Sequence, residues 1–393
     1  MCAGKTRAGG FYMKKVVALI LALVSLLTLV SCGSEFPPVE STEREAKTVM
    51  TLSYDGEEYE VPYELYRAFF LTYKSEVDGG NEAVWSGPES AEYVAKINAM
   101  VLNSITEMYA AFYMCDRIGT DVFSSSFDDE IEAYIEESVE NIIYVTELEA
   151  KKRGENIEVS REEAYQIYLA RLKASGLNYS VSILLYRYNI ALSKIDEYYR
   201  GKPDSSSITG YEGGKVDTSR DTVKAFYDSA DTIKLMYFCL QDDVDSQRRV
   251  DNAREDMLEA SSRDELVAAI VGNLAYGYPE TVEQGMTIGK YSLSTQFTDF
   301  EKFADAAFAL DIGEISETVE VYDGARTFIY VLYRDEKTDA HFDKSFTDIA
   351  SSHVSNEIGK IKHQVKSGLK SSCEYSSFYG TLNHASISIS EEN

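Results

Sequence analysis

Apolar residues recur at three- and four-residue steps along most of this chain and alternate in a few short stretches, so the change of period marks its elements. Residues 48–63 alternate as a hairpin, Val49–Tyr54 and Tyr59–Val61, around Asp55-Gly56, a pair suited to a tight turn. The period then becomes helical. Val94, Ile97, Val101, Ile105, Met108, Phe112 and Cys115 predict a helix of about seven turns that ends near Gly119. Ser126 with Asp129, and Ser160 with Glu163, have capping-box spacing. The first opens a helix through Ile131, Tyr134, Ile142 and Leu148, and the second a helix closed by Gly176. Val181, Leu184, Leu185, Tyr188, Leu192, Ile195 and Tyr199 stripe the next.

Residues 200–217 are rich in Gly and Ser and poor in apolar side chains, which predicts a linker. Beyond it, Thr218 with Asp221 caps a helix over 222–229, and Ile233–Leu240 forms a strand. Helices follow over 244–260 and 263–271, then a glycine-containing loop over 272–290. The densest pattern is 297–334. Thr298 with Glu301 caps a helix carrying Phe300, Phe303, Ala307 and Leu310; Asp311 and Gly313 end it; Ile315 turns back to the core. Val319 and Val321 alternate as a strand, Asp323-Gly324 turns, and Phe328–Leu332 is an apolar run suited to a buried strand. A short helix feeding an antiparallel hairpin makes this an α+β unit. From 338 onward, Phe342, Phe346, Ile349, Val354, Ile358, Ile361 and Val365 mark one more helix, and 385–390 (ASISIS) alternates as a strand.

The amino-terminal stretch changes the picture. Met13-Lys14-Lys15 precedes an apolar run, Val16–Val30, of signal-peptide length and too short for a membrane span. It closes on Leu29-Val30-Ser31-Cys32-Gly33, which resembles the bacterial lipobox and implies residues 1–31 as a lipoprotein signal with Cys32 diacylated. An ordinary secretory signal with a chance cysteine is the alternative. Residues 32–47 then form a polar tether. Lipid on Cys32 would hold the protein at a membrane surface, extracytoplasmic and otherwise soluble.

The formal net charge is −28, and removal of the signal, with its cations Lys5, Arg7, Lys14 and Lys15, takes it to −32. A surface this acidic repels nucleic acid and anionic headgroups and favours cationic or apolar clients. Cys115, Cys239 and Cys373 offer neither a disulfide framework nor a metal set; a Cys115–Cys373 bridge competes with free buried thiols. No Walker loop, Gly-x-Ser-x-Gly elbow or histidine cluster is present, so metal, nucleotide and acyl-transfer chemistry have no foothold and no cofactor is expected.

Phe303-Ala-Asp-Ala-Ala-Phe308-Ala-Leu310, Gly313-Glu-Ile-Ser316, Val319, Gly324 and the closing strand resemble the second half of a parvulin-type peptidyl-prolyl isomerase domain. Ile233–Leu240 resembles its first strand, and Thr287–Tyr291 its Gly-x-Leu-Gly-x-aromatic turn. With the lipobox, the hairpin, the break at Arg117-Ile118-Gly119 and Gly176-Leu177-Asn178 between helices, the order of parts looks like the PrsA/SurA foldases. The resemblance implies a mainly helical, discontinuous chaperone domain (48–222 and 338–390) with an inserted parvulin-like domain (230–336), a four-stranded antiparallel sheet flanked by helices. It implies unfolded or partly folded secreted polypeptides as partners.

Parvulins seat proline in an apolar pocket beside two histidines and a Cys or Asp. By that resemblance Phe303 is the pocket phenylalanine, Tyr237 stands at the first histidine position, Arg326 or Thr327 at the second, and Asn273 is the nearest third polar candidate. Ile288, Tyr291, Phe300 and Phe308 complete the expected substrate-binding set, with Phe297 the alternative to Phe300 at the family's pocket methionine. All four histidines, His341, His353, His363 and His384, lie beyond the unit. Three readings remain open: a foldase with isomerase activity, an inactive client-binding platform, and a surface lipoprotein with one dedicated envelope partner.

Overall fold

The computed structural model describes residues 40–389, except 79–80, 205–206, 208–209, 244, 275–277, 293–299 and 323–325. The signal segment, Cys32, Phe297, Thr298 and the Asp323-Gly324 turn lie outside the described residues. In chain order come β1 (Thr48–Tyr54), β2 (Glu57–Pro62), α1 (Tyr63–Asp78), α2 (Ser90–Arg117), α3 (Asp128–Lys152), α4 (Arg161–Ala174) and α5 (Tyr179–Arg200). Next are β3 (Gly201–Pro203), β4 (Tyr211–Gly213), α6 (Arg220–Asp228), β5 (Thr232–Gln241), α7 (Ser246–Glu259), α8 (Arg263–Asn273), α9 (Pro279–Gln284) and β6 (Met286–Gly289). The last are α10 (Phe300–Ala309), β7 (Val319–Tyr322), β8 (Thr327–Asp335), α11 (Asp339–Lys344), α12 (Phe346–Ser371) and β9 (Glu374–Tyr375). The chain is mainly helical with antiparallel sheets, an α+β architecture. Its described residues divide into two compact units, 40–194 with 364–389, and 195–363, the divisions falling within α5 and α12.

In the first unit Asp55 and Gly56 both have positive φ (51° and 84°), the geometry that lets a two-residue turn follow the twist of its strands. The hairpin pairs Leu52 with Tyr59 and Tyr54 with Glu57, and β9 adds to the other side of β1 through Met50 and Thr51. The predicted stripe of α2 is buried from Ile97 to Cys115, and Gly119 (φ 82°) ends the helix region. Ser160 and Glu163 form both halves of the capping box. Ser126 and Asp129 do not: Ser124 accepts from the Ser126 amide to cap a short 3-10 turn, and α3 starts at Asp128 with no side-chain cap.

The second unit is built on a sheet of order β6-β5-β8-β7, antiparallel throughout, with β5 and β8 paired over eight residues from Lys234↔Asp335 to Gln241↔Phe328. The stretch read as a linker folds into the two-stranded ribbon β3–β4. Its glycines serve close backbone approach, since a Cβ on Gly201 would lie 2.3 Å from the Glu212 carbonyl oxygen. The Thr218–Asp221 cap is replaced by Asp217, whose carboxylate accepts from the Ser219 amide (2.8 Å) and the Thr222 hydroxyl (2.6 Å). The loop over 272–290 contains α9 and β6.

The helix predicted beyond 338 is two helices: Thr338 caps α11 through the His341 amide, and the backbone departs from helical geometry at Ser345 (φ −111°, ψ 17°) before α12 begins. The described part of the ASISIS stretch, 385–389, is no strand: its period-2 pattern is overridden by a 3-10 turn at His384–Ser386, and the late strand is β9 instead. Cys115, Cys239 and Cys373 are free thiols, which removes the Cys115–Cys373 bridge. Among the described residues no helix is long and apolar enough to cross a membrane, and no group of His, Cys, Asp and Glu could hold a metal ion.

Candidate functional site

Strand alternation sorts the β5–β8 pair into two faces. Met236 and Phe238 of β5, with Ile329 and Val331 of β8, pack against Val250, Ala253 and Met257 of α7 and Leu266, Val267 and Ile270 of α8. On the opposite face Ile233, Leu235, Ile288, Val321 and Leu332 pack under Phe303, Ala307 and Leu310 of α10. The same face continues to the Gln241↔Phe328 end of the pair as a row of half-buried side chains, Tyr237 and Cys239 from β5 and Phe328 and Tyr330 from β8. Tyr330 joins them. Its ring meets Phe303 edge-on at 5.0 Å and 81°, and lies 6.0 Å from Tyr237 and 6.5 Å from Phe328. Edge-to-face aromatic contacts add about 0.5–1.5 kcal/mol beyond burial, so the row is held in place yet still presents ring surface to solvent.

The chemistry of this face is that of contact. Burial pushes the Cys239 thiol up to about 11, against a smaller opposing effect of Tyr330, so it stays protonated near neutral pH and is a poor nucleophile. Arg326 donates to the Gln241 side-chain oxygen at 2.9 Å at the same end of the sheet. Beside α10 lies an open pocket of about 640 Å³ lined by Lys302, Ala306, Leu310, Ile315, Val319 and Glu320 among others.

The predicted residues are only partly brought together. Phe303 and Ile288 are in one cluster but 1% and 2% exposed, so they support the face from beneath. Tyr237 and Phe308 are half-buried and packed against that cluster. Tyr291 packs elsewhere, its ring 5.3 Å from His363 and its amide donating to Asn356 of α12. Phe300 starts α10, and its side chain lies outside the described residues. Asn273 is on α8, bonded to Asp256 of α7, across the sheet from Tyr237. Sequence reading missed Tyr330, Phe328 and Cys239. The signal was the two-residue period itself: Phe328–Leu332 taken as one buried run conceals that its odd and even positions face opposite sides, and Cys239 shares a face with Tyr237.

No histidine of the second unit belongs to this row. His363 meets Tyr291, and the His353 ring lies 4.9 Å from Phe226. His341 sits at the other end of the β5–β8 pair, its Nε2 3.0 Å from the Gln284 carbonyl and its Nδ1 3.0 Å from the Tyr227 hydroxyl. A carbonyl only accepts, so the neutral ring carries its proton on Nε2 and accepts a hydrogen bond from the Tyr227 hydroxyl at Nδ1. Around it, Lys234 meets Asp335 at 2.6 Å and Arg263 meets it at 3.1 Å. Burial and then the Lys234 charge lower the His341 pKa; burial also lowers His353. Burial pushes Asp335 up, but the bonds from Lys234 and Arg263 outweigh it and hold the carboxyl below its usual value.

The sign follows from linkage. A histidine whose folded pKa lies below its unfolded value binds protons more readily when unfolded, so it contributes nothing above about pH 6.5 and destabilises increasingly as pH falls below it. Asp335 acts lower, in the carboxylate range. Urea unfolding at pH 7.5 and 5.5 should show the lower stability at pH 5.5, and His341→Gln should reduce that difference; a flat profile would contradict the neutral-histidine assignment.

No family model matches this chain, and no curated protein matches it. Among solved structures, the foldase protein PrsA from Streptococcus pneumoniae str. Canada MDR_19A is similar at 14% identity, over 73% of this chain and 86% of that one, with a TM-score of 0.23. The foldase protein PrsA from Lactococcus lactis is similar at 13% identity, over 84% of this chain and 96% of that one, with a TM-score of 0.20.

Proposed function

We propose that this chain is a membrane-anchored extracytoplasmic foldase-type chaperone, tethered through lipid on Cys32, in which residues 230–336 act as a parvulin-like client-binding unit within a helical domain of 48–222 and 338–390. The observation that carries the reading is the half-buried row Tyr237, Cys239, Phe328 and Tyr330, laid over Phe303 on one face of a four-stranded antiparallel sheet. Flat aromatic surface at the mouth of an apolar cluster suits prolyl and other apolar segments, and the net charge of −28 favours cationic ones. Dependence of fatty-acid incorporation on Cys32 tests the anchor.

Rotation about a prolyl bond needs neither metal nor nucleophile. Its barrier falls when a protein holds the ring, desolvates the amide oxygen and favours the twisted geometry. The aromatic row can hold a ring. What it lacks is imidazole, and its thiol is protonated, so turnover is proposed to be weak or absent and binding to dominate. A proline-switch assay on a tetrapeptide series, run beside aggregation suppression of a denatured client, separates the readings. Uncatalysed rates with suppression leave a binding platform; failure of both favours a dedicated envelope partner.

Phe328→Ala is expected to weaken binding of a Phe-Pro tetrapeptide about tenfold, the usual scale for an aromatic anchor, with the unit still folded. Phe303→Ala should instead cost stability, about 3–5 kcal/mol, because that ring is fully buried. Peptide affinity unchanged in Phe328→Ala would remove the sheet face as the site.

A further inference from the structure

The first unit carries a second arrangement with the features of a peptide site, independent of the sheet-face reading. On α1, Tyr63, Tyr66, Arg67, Phe70 and Lys74 fall at helical spacing on one stripe. Lys74 Nζ donates to the carbonyls of Ala385 (3.1 Å) and Ile387 (2.7 Å). Arg67 Nη2 donates to those of Ser388 (2.7 Å) and Ile389 (3.1 Å). Four main-chain carbonyls of one short segment are thus met by two cations of one helix. The segment takes a 3-10 turn at His384–Ser386 and then extends through Ile387 (φ −60°, ψ 121°). Ile387 is 1% exposed, while Ile389 is 45% exposed. The His384 ring lies 6.0 Å from both Tyr66 and Phe70, and 4.7 Å from Tyr379.

Contacts to carbonyls carry no side-chain preference, so selectivity rests on the seat filled by Ile387, between the small residues Ser386 and Ser388. The segment is held by side chains to its main chain, unlike β9, which joins β1 through a backbone ladder. We propose that this stripe of α1 is a binding groove for an extended polypeptide segment with one aliphatic residue between small ones, filled in this structure by the chain's own residues 384–389, and that client segments compete for it.

The probe is a fluorescent peptide of Leu382–Ile389 (LNHASISI), titrated into the full chain. Because the tethered segment is present at an effective concentration in the millimolar range, the unaltered chain should bind the probe weakly. Ile387→Asp in the full chain should expel the segment and bind at least tenfold tighter, and adding Lys74→Met should reverse the gain. A Phe-Pro tetrapeptide should leave this signal unchanged, which separates the groove from the sheet face. An Ile387→Asp chain that melts cooperatively yet does not gain affinity overturns the proposal. Should that variant not fold, hydrogen exchange of the unaltered chain decides: 1 mM probe should accelerate exchange at the amides of 385–389, and unchanged exchange overturns the proposal equally.

Discussion

Gly285→Ala is expected to destabilise the 195–363 unit by about 3 kcal/mol or more, the sum of backbone strain and overpacking. Gly285 ends α9 and turns the chain into β6 with φ 59° and ψ −151°, a conformation open essentially to glycine alone. A Cβ there would sit 2.1 Å from the carbonyl oxygen of Leu235, a backbone atom of β5 that cannot rotate away. Leu235 is also the register partner of Met286, so alanine must push β6 off the edge of the sheet. Ile288, which lies under the aromatic row, moves with that strand.

At about 2–4 °C per kcal/mol for 150–250 residues, thermal unfolding of this unit should fall by about 6–12 °C. Gly313→Ala is the control: its φ is 88°, but nothing lies within 4 Å of the new Cβ, so only about 1–2 kcal/mol of left-handed strain applies. Equal shifts in the two variants would show that the Leu235 contact is not the cause.

The contrast between these glycines explains what the sequence could convey. Features set by residues a few positions apart were legible: the Asp55-Gly56 turn, the Ser160–Glu163 box, the α2 stripe, and the strands later found as β5, β7 and β8. Competition between neighbouring caps was not. Ser124 displaced Ser126, and Asp217 displaced Thr218, although neither Ser124 nor Asp217 has a carboxylate three residues on: both are cap-type side chains, and the path of the chain rather than the spacing rule selects between neighbours. ASISIS reads as a strand by period, but its carbonyls are taken by Lys74 and Arg67, more than 300 residues earlier.

For the site, α10 and its burial of Phe303 followed from helical spacing, while Tyr330 reaches Phe303 and Tyr237 only through the β5–β8 register. That register is a long-range fact, and local pattern holds no record of it. Tyr291 illustrates the converse: its motif position pointed to the pocket, but its amide and ring are taken by α12.

Lys366→Met should be among the most damaging single changes in the first unit. Lys366 on α12 meets Glu107 on α2 at 3.2 Å, the two side chains 9% and 1% exposed. Two residues along, Gly368 lets the Tyr54 ring approach so closely that a Cβ would lie 2.3 Å from it, and Tyr54 meets Tyr113 of α2 edge-on at 5.0 Å. The ion pair therefore sits where β1, α2 and α12 interlock, and water cannot replace the lost ammonium without opening that packing. Removing one partner of a buried pair costs about 3–5 kcal/mol, because the remaining charge keeps its desolvation penalty. Replacing both by apolar groups removes the penalty with the attraction, so Glu107→Leu combined with Lys366→Met should recover most of the loss. Urea unfolding of the two single variants and the double variant measures the coupling. Shielding from solvent also predicts that the loss in Lys366→Met persists from 0.05 to 0.5 M salt, whereas a surface pair would be screened over that range. Simple additivity in the double variant would show that the pair acts as two separate surface charges.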